Sequence, residues 1–166
     1  NAAHYFIETH LEAGRGEAIA FIEAASGKRI SYSTLSANSS KVAGALTRAG
    51  IKREERAAIL MLDSIDYVEV FWGCLKAGVI AVPINTLLAG AVYDTILSDS
   101  RASCLFVSAA LLQVVKPVLA KNDHIRKVIV VGDHPLEDGL ESYQTFTKGA
   151  PEQVPVAVSP DETAFW

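Results

Sequence analysis

Three carboxylates near the middle of the chain are the first candidates for chemistry. Asp63, Asp66 and Glu69 lie close together in sequence, and paired carboxylates can act as general acid and base. Acidic side chains at the start of a helix also stabilise the helix dipole. We favour this structural role, because Asp63 or Ser64 is a suitable N-cap for a helix over residues 64–77.

The other residues with reactive side chains are isolated from one another. Cys74 and Cys104 lie in apolar segments without a CxxC partner, which predicts two buried, reduced thiols and no metal site. No glycine-rich phosphate loop, GxSxG elbow or HExxH helix is present, and residues 14–16 (GRG) indicate a turn. The four histidines are interpreted as surface residues: His4, His10, His124 and His134.

Length and composition narrow the class of protein. The chain has 166 residues, enough for one domain, with half of them hydrophobic and a formal net charge of −4. This balance predicts no nucleic-acid partner and no membrane partner. No apolar run approaches the ~18 residues that a membrane-spanning helix needs. The N-terminus lacks both a signal peptide pattern and Met, so we expect a cytoplasmic protein with residues upstream.

The elements that must position any site follow an alternating order. A helix over residues 3–13 precedes a small β-hairpin of residues 18–22 and 29–32. Strands rich in Val and Ile then alternate with helices, which predicts an α/β fold: a mainly parallel sheet with helices on both faces. The predicted strands cover residues 56–62, 79–82, 104–107 and 127–131, and the predicted helices cover residues 33–49 (capped by Ser33), 64–77, 89–97 and 109–121.

Two segments near the C-terminus depart from this alternation. Residues 132–160 hold four of the six prolines and are interpreted as a surface excursion around a short helix over residues 141–146. Residues 163–166 resume an apolar strand. The helix over residues 64–77 is apolar nearly all round, which predicts that it packs on two sides. The residues by themselves therefore predict an α/β domain without a recognisable site.

Residues 29–35 (RISYSTL), 58–64 (AILMLDS) and 75–85 (LKAGVIAVPIN) carry recognisable motifs. Together these three segments resemble the adenylate-forming enzymes, the superfamily of acyl-CoA synthetases, peptide-synthetase adenylation domains and beetle luciferases. Residues 29–35 (RISYSTL) are similar to an early family segment in which a strand enters a helix. Residues 75–85 (LKAGVIAVPIN) resemble the family's LKAGxxxVPxN segment. Residues 58–64 (AILMLDS) stand where the family carries VAIxxxNS, with Asp63 in place of the common Asn. The order and spacing fit across nearly the whole chain.

Within the superfamily the resemblance points to benzoate–CoA ligases. Four short words carry it: residues 63–67 (DSIDY), 71–73 (FWG), 85–88 (NTLL) and 100–102 (SRA). The resemblance implies that residues 1–166 are an incomplete N-terminal subdomain, inactive alone, without the phosphate-binding loop and C-terminal domain. The parent enzyme would form an acyl-adenylate and then a thioester, using ATP, Mg²⁺ and coenzyme A. Its partners would be a small aromatic carboxylate and the remainder of its own chain, and a homodimer stays open.

The resemblance assigns one candidate site within the chain. It implies that Asn85, Thr86 and Leu87, just after a predicted strand, lie on the coenzyme A side of the site, where parallel sheets collect ligands. In some relatives an Arg just after this Asn helps to hold the coenzyme A nucleotide, whereas in this chain the first Arg after Asn85 is Arg101. In the structural alternative, Asn85 only closes a turn with its side chain. No catalytic residue and no metal ligand is expected within the chain.

Two other functions stay open from the sequence. The same superfamily contains ligases for other acids, such as fatty acids or amino acids, and nothing in these residues excludes them. A self-contained flavodoxin-like binding domain could share the fold. Such a domain would be a compact monomer without a large apolar patch.

Overall fold

The computed structural model describes residues 1–135 and 137–166. These residues form a five-stranded parallel sheet together with the helices that cover it. A two-stranded antiparallel hairpin precedes the sheet in the chain. The strands are β1 (Ile19–Ile22), β2 (Arg29–Ser31), β3 (Arg56–Leu60), β4 (Ile80–Pro83), β5 (Cys104–Ser108), β6 (Lys127–Val131) and β7 (Leu140–Ser142). The helices are α1 (Thr9–Glu12), α2 (Tyr32–Arg48), α3 (Ile65–Ala77), α4 (Gly90–Ser100), α5 (Leu112–Leu119) and α6 (Tyr143–Thr147), with a π-helical turn at His4–Glu8 and a 3₁₀ turn at Ala109–Leu111.

The strands are apolar on both faces because both faces are covered. Alternate residues of β5 enter different cores: Phe106 packs with the helices α2, α3 and α6, and Leu105 packs with α4 and α5. All five residues of β5 are buried, as expected for a central strand of a parallel sheet. The predicted α/β fold, with helices on both faces and an N-terminal hairpin, is confirmed.

The order of the strands locates the point where ligands bind in such sheets. The parallel strands lie in the order β4-β3-β5-β6-β7, which is 2-1-3-4-5 when they are numbered along the chain. This is the flavodoxin-like order, and its switch point falls between the first and third strands. The switch point of this sheet therefore lies between the carboxyl ends of β3 and β5.

The junction from α3 to β4 has the predicted geometry. The Ser64 hydroxyl accepts a hydrogen bond from the Tyr67 N–H at 3.2 Å, so Ser64 is the N-cap. Gly78 ends α3 in the left-handed region with φ of 71°. The N–H of Val79 then donates to the Cys74 carbonyl at 2.9 Å, and β4 begins one residue later.

A buried lysine fastens the N-terminal segment to the helices behind the sheet. The Lys76 side chain is fully buried, and its Nζ lies 2.6 Å from Oε1 of Glu8. Nζ also donates to the Ser36 carbonyl and to Oγ of Ser40, both at 2.9 Å. A buried ammonium requires a counter-ion and full hydrogen bonding, and here it has both.

Three sequence-based expectations need correction. The N-cap of α2 is Ser31, whose hydroxyl accepts from the Thr34 N–H, and Ser33 lies inside the helix. The segment expected to be a surface excursion supplies the fifth strand, because β7 pairs with β6 in parallel. Residues 141–142 belong to that strand, and the helix begins only at Tyr143, which is buried together with Phe146.

The terminal strand forms only in part. Phe165 makes a single parallel bridge to Ala81, on the outer edge of β4. The Ala81 N–H donates to the Ala164 carbonyl at 3.2 Å, and the Trp166 N–H donates to the Ala81 carbonyl at 2.9 Å. The last residues therefore begin to extend the sheet beyond β4.

Candidate functional site

Three clefts open around the carboxyl ends of the strands, and Asp63 lines all of them. The hairpin cleft, of about 450 Å³, lies between β1 and the start of α3 and is lined mainly by Phe21, Ile22, Glu23, Ile65, Tyr67 and Val68. The switch-point cleft, of about 420 Å³, lies over the ends of β3, β5 and β6 and is lined mainly by Glu23, Leu62, Asp66, Ser108, Ala109 and Gly132. The Asn85 cleft, of about 290 Å³, follows β4 and is lined by Met61, Tyr67, Pro83, Ile84, Asn85 and Thr86.

The switch-point cleft is closed at its floor and acidic at its rim. The hydroxyl of Ser108, at the end of β5, accepts a hydrogen bond from the Leu62 N–H at 2.9 Å, which joins the ends of the two central strands. The carboxylates of Glu23, Asp63 and Asp66 line the same cleft. A negative rim repels phosphate groups, so the cleft is unsuited to a flavin or nucleotide phosphate.

The predicted site residues Asn85 and Thr86 lie together in the Asn85 cleft. Oδ1 of Asn85 accepts a hydrogen bond from the Leu87 N–H at 2.8 Å, so the side chain closes a turn, as the structural alternative expected. Leu87 is 91% exposed and does not line the cleft. The structure therefore brings two of the three residues to one surface and leaves Leu87 projecting beside it.

Sequence reasoning missed several residues of this site, among them Met61 and Tyr67. Both line the Asn85 cleft, Met61 directly after β3 and Tyr67 in the first turn of α3. Burial, and then the neighbouring Asp63 carboxylate, raise the pKa of the Tyr67 phenol, which keeps it protonated and able to donate a hydrogen bond. A usable signal was present, because Tyr67 follows the N-cap Ser64 by three residues and so lies near the strand ends.

Among the residues that the structure describes, no cationic side chain lines any of the three clefts. The four histidines also lie outside their linings. Within residues 1–135 and 137–166, no group of three or more His, Cys, Asp or Glu side chains is arranged to hold a metal ion. The described linings therefore offer carboxylates, neutral hydrogen-bonding groups and apolar side chains.

Asp63, Asp66 and Glu69 do not act as one group. Asp66 lies in the first turn of α3, where its charge suits the helix dipole. Glu69 points into the core, where it accepts hydrogen bonds from Asn38 Nδ2 at 2.7 Å and the Tyr143 hydroxyl at 2.9 Å. Burial raises the pKa of Glu69, whereas its two hydrogen bonds act in the opposite direction.

The two cysteines are inert in this fold. Cys74 and Cys104 are free and fully buried, on α3 and β5 respectively. Burial raises the pKa of the Cys104 thiol to about 12 and that of the Cys74 thiol well above its ordinary value. Both behave as small apolar side chains.

Comparison with curated proteins finds ligases of aromatic acids over the whole chain. The 4-hydroxybenzoate–CoA/benzoate–CoA ligase of Rhodopseudomonas palustris is 34% identical over 169 aligned residues, which cover 100% of this chain and 30% of the relative. The benzoate–CoA ligase of Thauera aromatica is 33% identical over 168 residues, covering 100% of this chain and 31% of the relative. The chain thus spans about 30% of the length of these relatives.

Comparison with solved structures finds ligases that have the same fold as this chain. A benzoate CoA ligase from Burkholderia xenovorans LB400 superposes with a TM-score of 0.86 at 30% identity, over 100% of this chain and 32% of that one. The anthranilate CoA ligase AuaEII, solved with anthranoyl-AMP, superposes with a TM-score of 0.88 at 29% identity, over 96% of this chain and 30% of that one.

Among the described residues, no helix combines the length and apolar character needed to cross a membrane.

The remaining comparison concerns the family as a whole. A family model described as AMP-binding enzyme matches residues 8–166, nearly the whole chain. The chain belongs to the AMP-binding enzyme family of adenylate-forming ligases.

Proposed function

We propose that the chain is the N-terminal part of an ATP-dependent ligase that joins a benzoate-type aromatic acid to coenzyme A. The observation that carries this proposal is the identity of 34% and 33% to benzoate and hydroxybenzoate ligases over the full length of the chain. A relative named as a long-chain fatty acid ligase is 35% identical, but over only 63% of the chain. The coverage therefore favours an aromatic acid over a fatty acid.

The proposed reaction has two steps. The carboxylate of the acid attacks the α-phosphorus of ATP, which forms an acyl-adenylate and releases pyrophosphate. The coenzyme A thiol then displaces AMP and forms the thioester. Mg²⁺ and cationic groups would stabilise the charge on the phosphoryl oxygens. We assign these groups to parts of the enzyme outside residues 1–166, because the three clefts are lined by carboxylates and apolar groups.

Asn85, Thr86 and Leu87 are proposed to border the coenzyme A side of the site. The nucleotide end of coenzyme A carries several phosphates, and the lining of the Asn85 cleft offers Asp63 and no cation. The arm that ends in the thiol is uncharged and carries amides and methyl groups, which suit Met61, Tyr67 and the amide of Asn85. We therefore propose that this cleft faces the arm and not the phosphates.

The alternative of a self-contained flavodoxin-like binding domain is not supported. The strand order is flavodoxin-like, but the family match covers residues 8–166 and the switch-point cleft is acidic. A cytoplasmic location is part of the proposal, because Cys74 and Cys104 are both free, as is common in reducing compartments.

The proposal is tested with the complete gene product, and coenzyme A is left out of the first step. Incubation with benzoate and Mg-ATP should yield benzoyl-adenylate and pyrophosphate, detected by mass spectrometry. Addition of coenzyme A should convert the adenylate into benzoyl-CoA and AMP. Formation of neither product with benzoate or hydroxybenzoates, while a fatty acid is converted, would overturn the proposal.

A further inference from the structure

A fourth cleft opens where the helices α2, α3 and α6 meet. We call it the α6 cleft and define it by its lining: Asn38 and Lys41 of α2, Glu69 of α3, and Tyr143 and Thr147 of α6. Its volume is about 240 Å³. None of these five residues lines the hairpin, switch-point or Asn85 cleft, so the α6 cleft is separate from the candidate ligase site.

The walls of the α6 cleft are fixed by hydrogen bonds. The guanidinium of Arg48, on α2, donates to the carbonyl of Phe146 and to that of Lys148 at 3.0 Å, which fastens the end of α6 to α2. The Thr147 hydroxyl donates to the Tyr143 carbonyl at 2.9 Å. The cleft is therefore largely preformed, which lowers the cost of binding a ligand in it.

The floor of the cleft, where it meets the core, is formed by Glu69 and Tyr143, which are only 5% and 8% exposed. The Glu69 carboxylate accepts one hydrogen bond at each oxygen, from Asn38 and from the Tyr143 hydroxyl, and each oxygen can accept another. Burial, and then Asp66, raise the pKa of Glu69, and its hydrogen bonds and Lys28 offset this only in part. A further cation beside this carboxylate would therefore stabilise its charge.

The cation that lines the cleft lies apart from this carboxylate. The Lys41 side chain is 46% exposed, and its Nζ lies 4.0 Å from the exposed Glu152. Such a surface pair contributes little. Among the residues that the structure describes, Lys41 forms no ion pair with Glu69, although both line the same cleft. The cleft therefore presents a buried negative charge and a separate positive charge to one small volume.

We propose that the α6 cleft binds a small zwitterion with the chemistry of an amino acid, whose ammonium group contacts Glu69 and whose carboxylate contacts Lys41. A simple anion would be repelled by Glu69 and a simple cation by Lys41, whereas a zwitterion complements both. The volume lies below the roughly 300 Å³ at which pockets for drug-sized ligands begin, so the side chain of the ligand must be small. This inference does not depend on the proposed function.

The test is calorimetric titration of the complete protein with glycine at low salt. Methylamine and acetate are the matched control ligands, because each carries only one of the two charged groups. Glycine should bind saturably at one site. Methylamine and acetate should each bind at least about tenfold more weakly.

Two variants locate the site. Lys41→Gln removes the cation from a half-exposed side chain, so the fold should be unaffected. Glu69→Gln keeps the shape of the side chain and removes its charge. Each should weaken glycine binding about tenfold, whereas Lys121→Gln, at an exposed lysine outside the cleft, should change it by less than about twofold.

Three results would overturn the proposal. The first is the absence of saturable glycine binding up to about 100 mM. The second is methylamine binding as tight as that of glycine, which would indicate a cation site. The third is an equal effect of Lys41→Gln and Lys121→Gln, which would place the glycine elsewhere. The comparison of these two exposed lysines remains decisive even if Glu69→Gln fails to fold.

Discussion

The two ends of α3 differ in how completely their side chains are satisfied. At the C-terminal end, Lys76 is fully buried with an ion pair to Glu8 and hydrogen bonds to Ser36 and Ser40. At the N-terminal end, Tyr67 is half-buried and borders two clefts. One helix thus has a closed end that holds the fold together and an open end that faces the candidate site.

The difference shows why an apolar helix can serve two purposes. Each polar group at the closed end has a partner, so substitution there affects stability first. The open end leaves apolar surface and unfilled volume, so substitution there should affect binding more than stability. This separation can be tested one residue at a time.

The largest loss of stability is expected for Glu8→Gln. This substitution leaves the buried Lys76 ammonium without its counter-ion, and breaking a buried pair costs about 3 kcal/mol. Urea unfolding of the complete protein, followed by tryptophan fluorescence, measures the change. The double variant Glu8→Gln, Lys76→Met should recover most of the lost stability. A Glu8→Gln variant whose free energy of unfolding lies within about 0.5 kcal/mol of the wild-type value would contradict the stabilising role of this ion pair.

A smaller loss is expected for Gly78→Ala at the same end. A Cβ at Gly78, with φ of 71°, would lie 2.9 Å from Cγ2 of Val156, so strain in the left-handed region adds to crowding. Gly50 is a matched control, because its φ is +76° and nothing lies within 4 Å of its Cβ position. We expect a loss of about 1 kcal/mol for Gly50→Ala and about 2 kcal/mol for Gly78→Ala, measured by urea unfolding. Equal losses would show that the contact with Val156 is unimportant.

At the open end, Ser64→Ala should cost about 1 kcal/mol, because the Tyr67 N–H loses its capping acceptor. Ser33→Ala is the control. Ser33 lies inside α2 and its hydroxyl makes no capping bond, since Ser31 caps that helix. Thermal unfolding of both variants separates the two positions. A larger loss for Ser33→Ala than for Ser64→Ala would contradict the assigned caps.

Between the two ends, Glu69 should make stability depend on pH. Its folded pKa is raised, chiefly by burial, so folding favours the protonated acid. The contribution is complete below the unfolded pKa of about 4.5 and is lost as pH rises through the higher folded value. The Tm of the wild-type protein should therefore fall as the pH rises from 4 to 7. The fall should be smaller in the Glu69→Gln variant. The groups that face Glu69 are Asn38, Tyr143, Asp66 and Lys28, and an unchanged slope would show that another acid, such as the neighbouring Asp66, is responsible.

The smallest effect is expected for Leu87→Arg, and it concerns binding instead of stability. Leu87 is 91% exposed and lies outside the lining of the Asn85 cleft, so a cation there should attract the coenzyme A phosphates at long range, from beyond the arm that faces the cleft, without disturbing the core. The KM for coenzyme A should fall about threefold at low salt with kcat unchanged, and the gain should fade as salt is added. Leu87→Gln is the neutral control. No difference between the two variants would place the coenzyme A phosphates far from this turn.

Most features that local sequence determines were predicted correctly, although the N-cap of α2 is Ser31 and not the predicted Ser33. The Ser64 cap, the stop at Gly78 and the apolar strands depend on neighbouring residues, and a single sequence shows them. The strand β7 was missed because Leu140–Ser142 is short and lacks an apolar run, and only its pairing with β6 defines it. Pairing between distant segments is not visible in the period of a single segment.

The invisibility of pairing between distant segments also explains which residues of the candidate site could be predicted. Asn85 and Thr86 could be proposed from their place after a strand. Their neighbour Met61 could not, because it comes close only through the parallel register that sets Ile59 opposite Pro83. The partnership of Glu8 with Lys76 was missed for the same reason, since the two residues lie on distant segments.

The most direct test of the account is the specificity of the complete protein for its acid. Values of kcat/KM for benzoate, 4-hydroxybenzoate and a long-chain fatty acid, measured as thioester formed with ATP and coenzyme A, give the preference. We expect an aromatic acid to be preferred over the fatty acid by about 100-fold or more. Equal values, or a preference for the fatty acid, would contradict it.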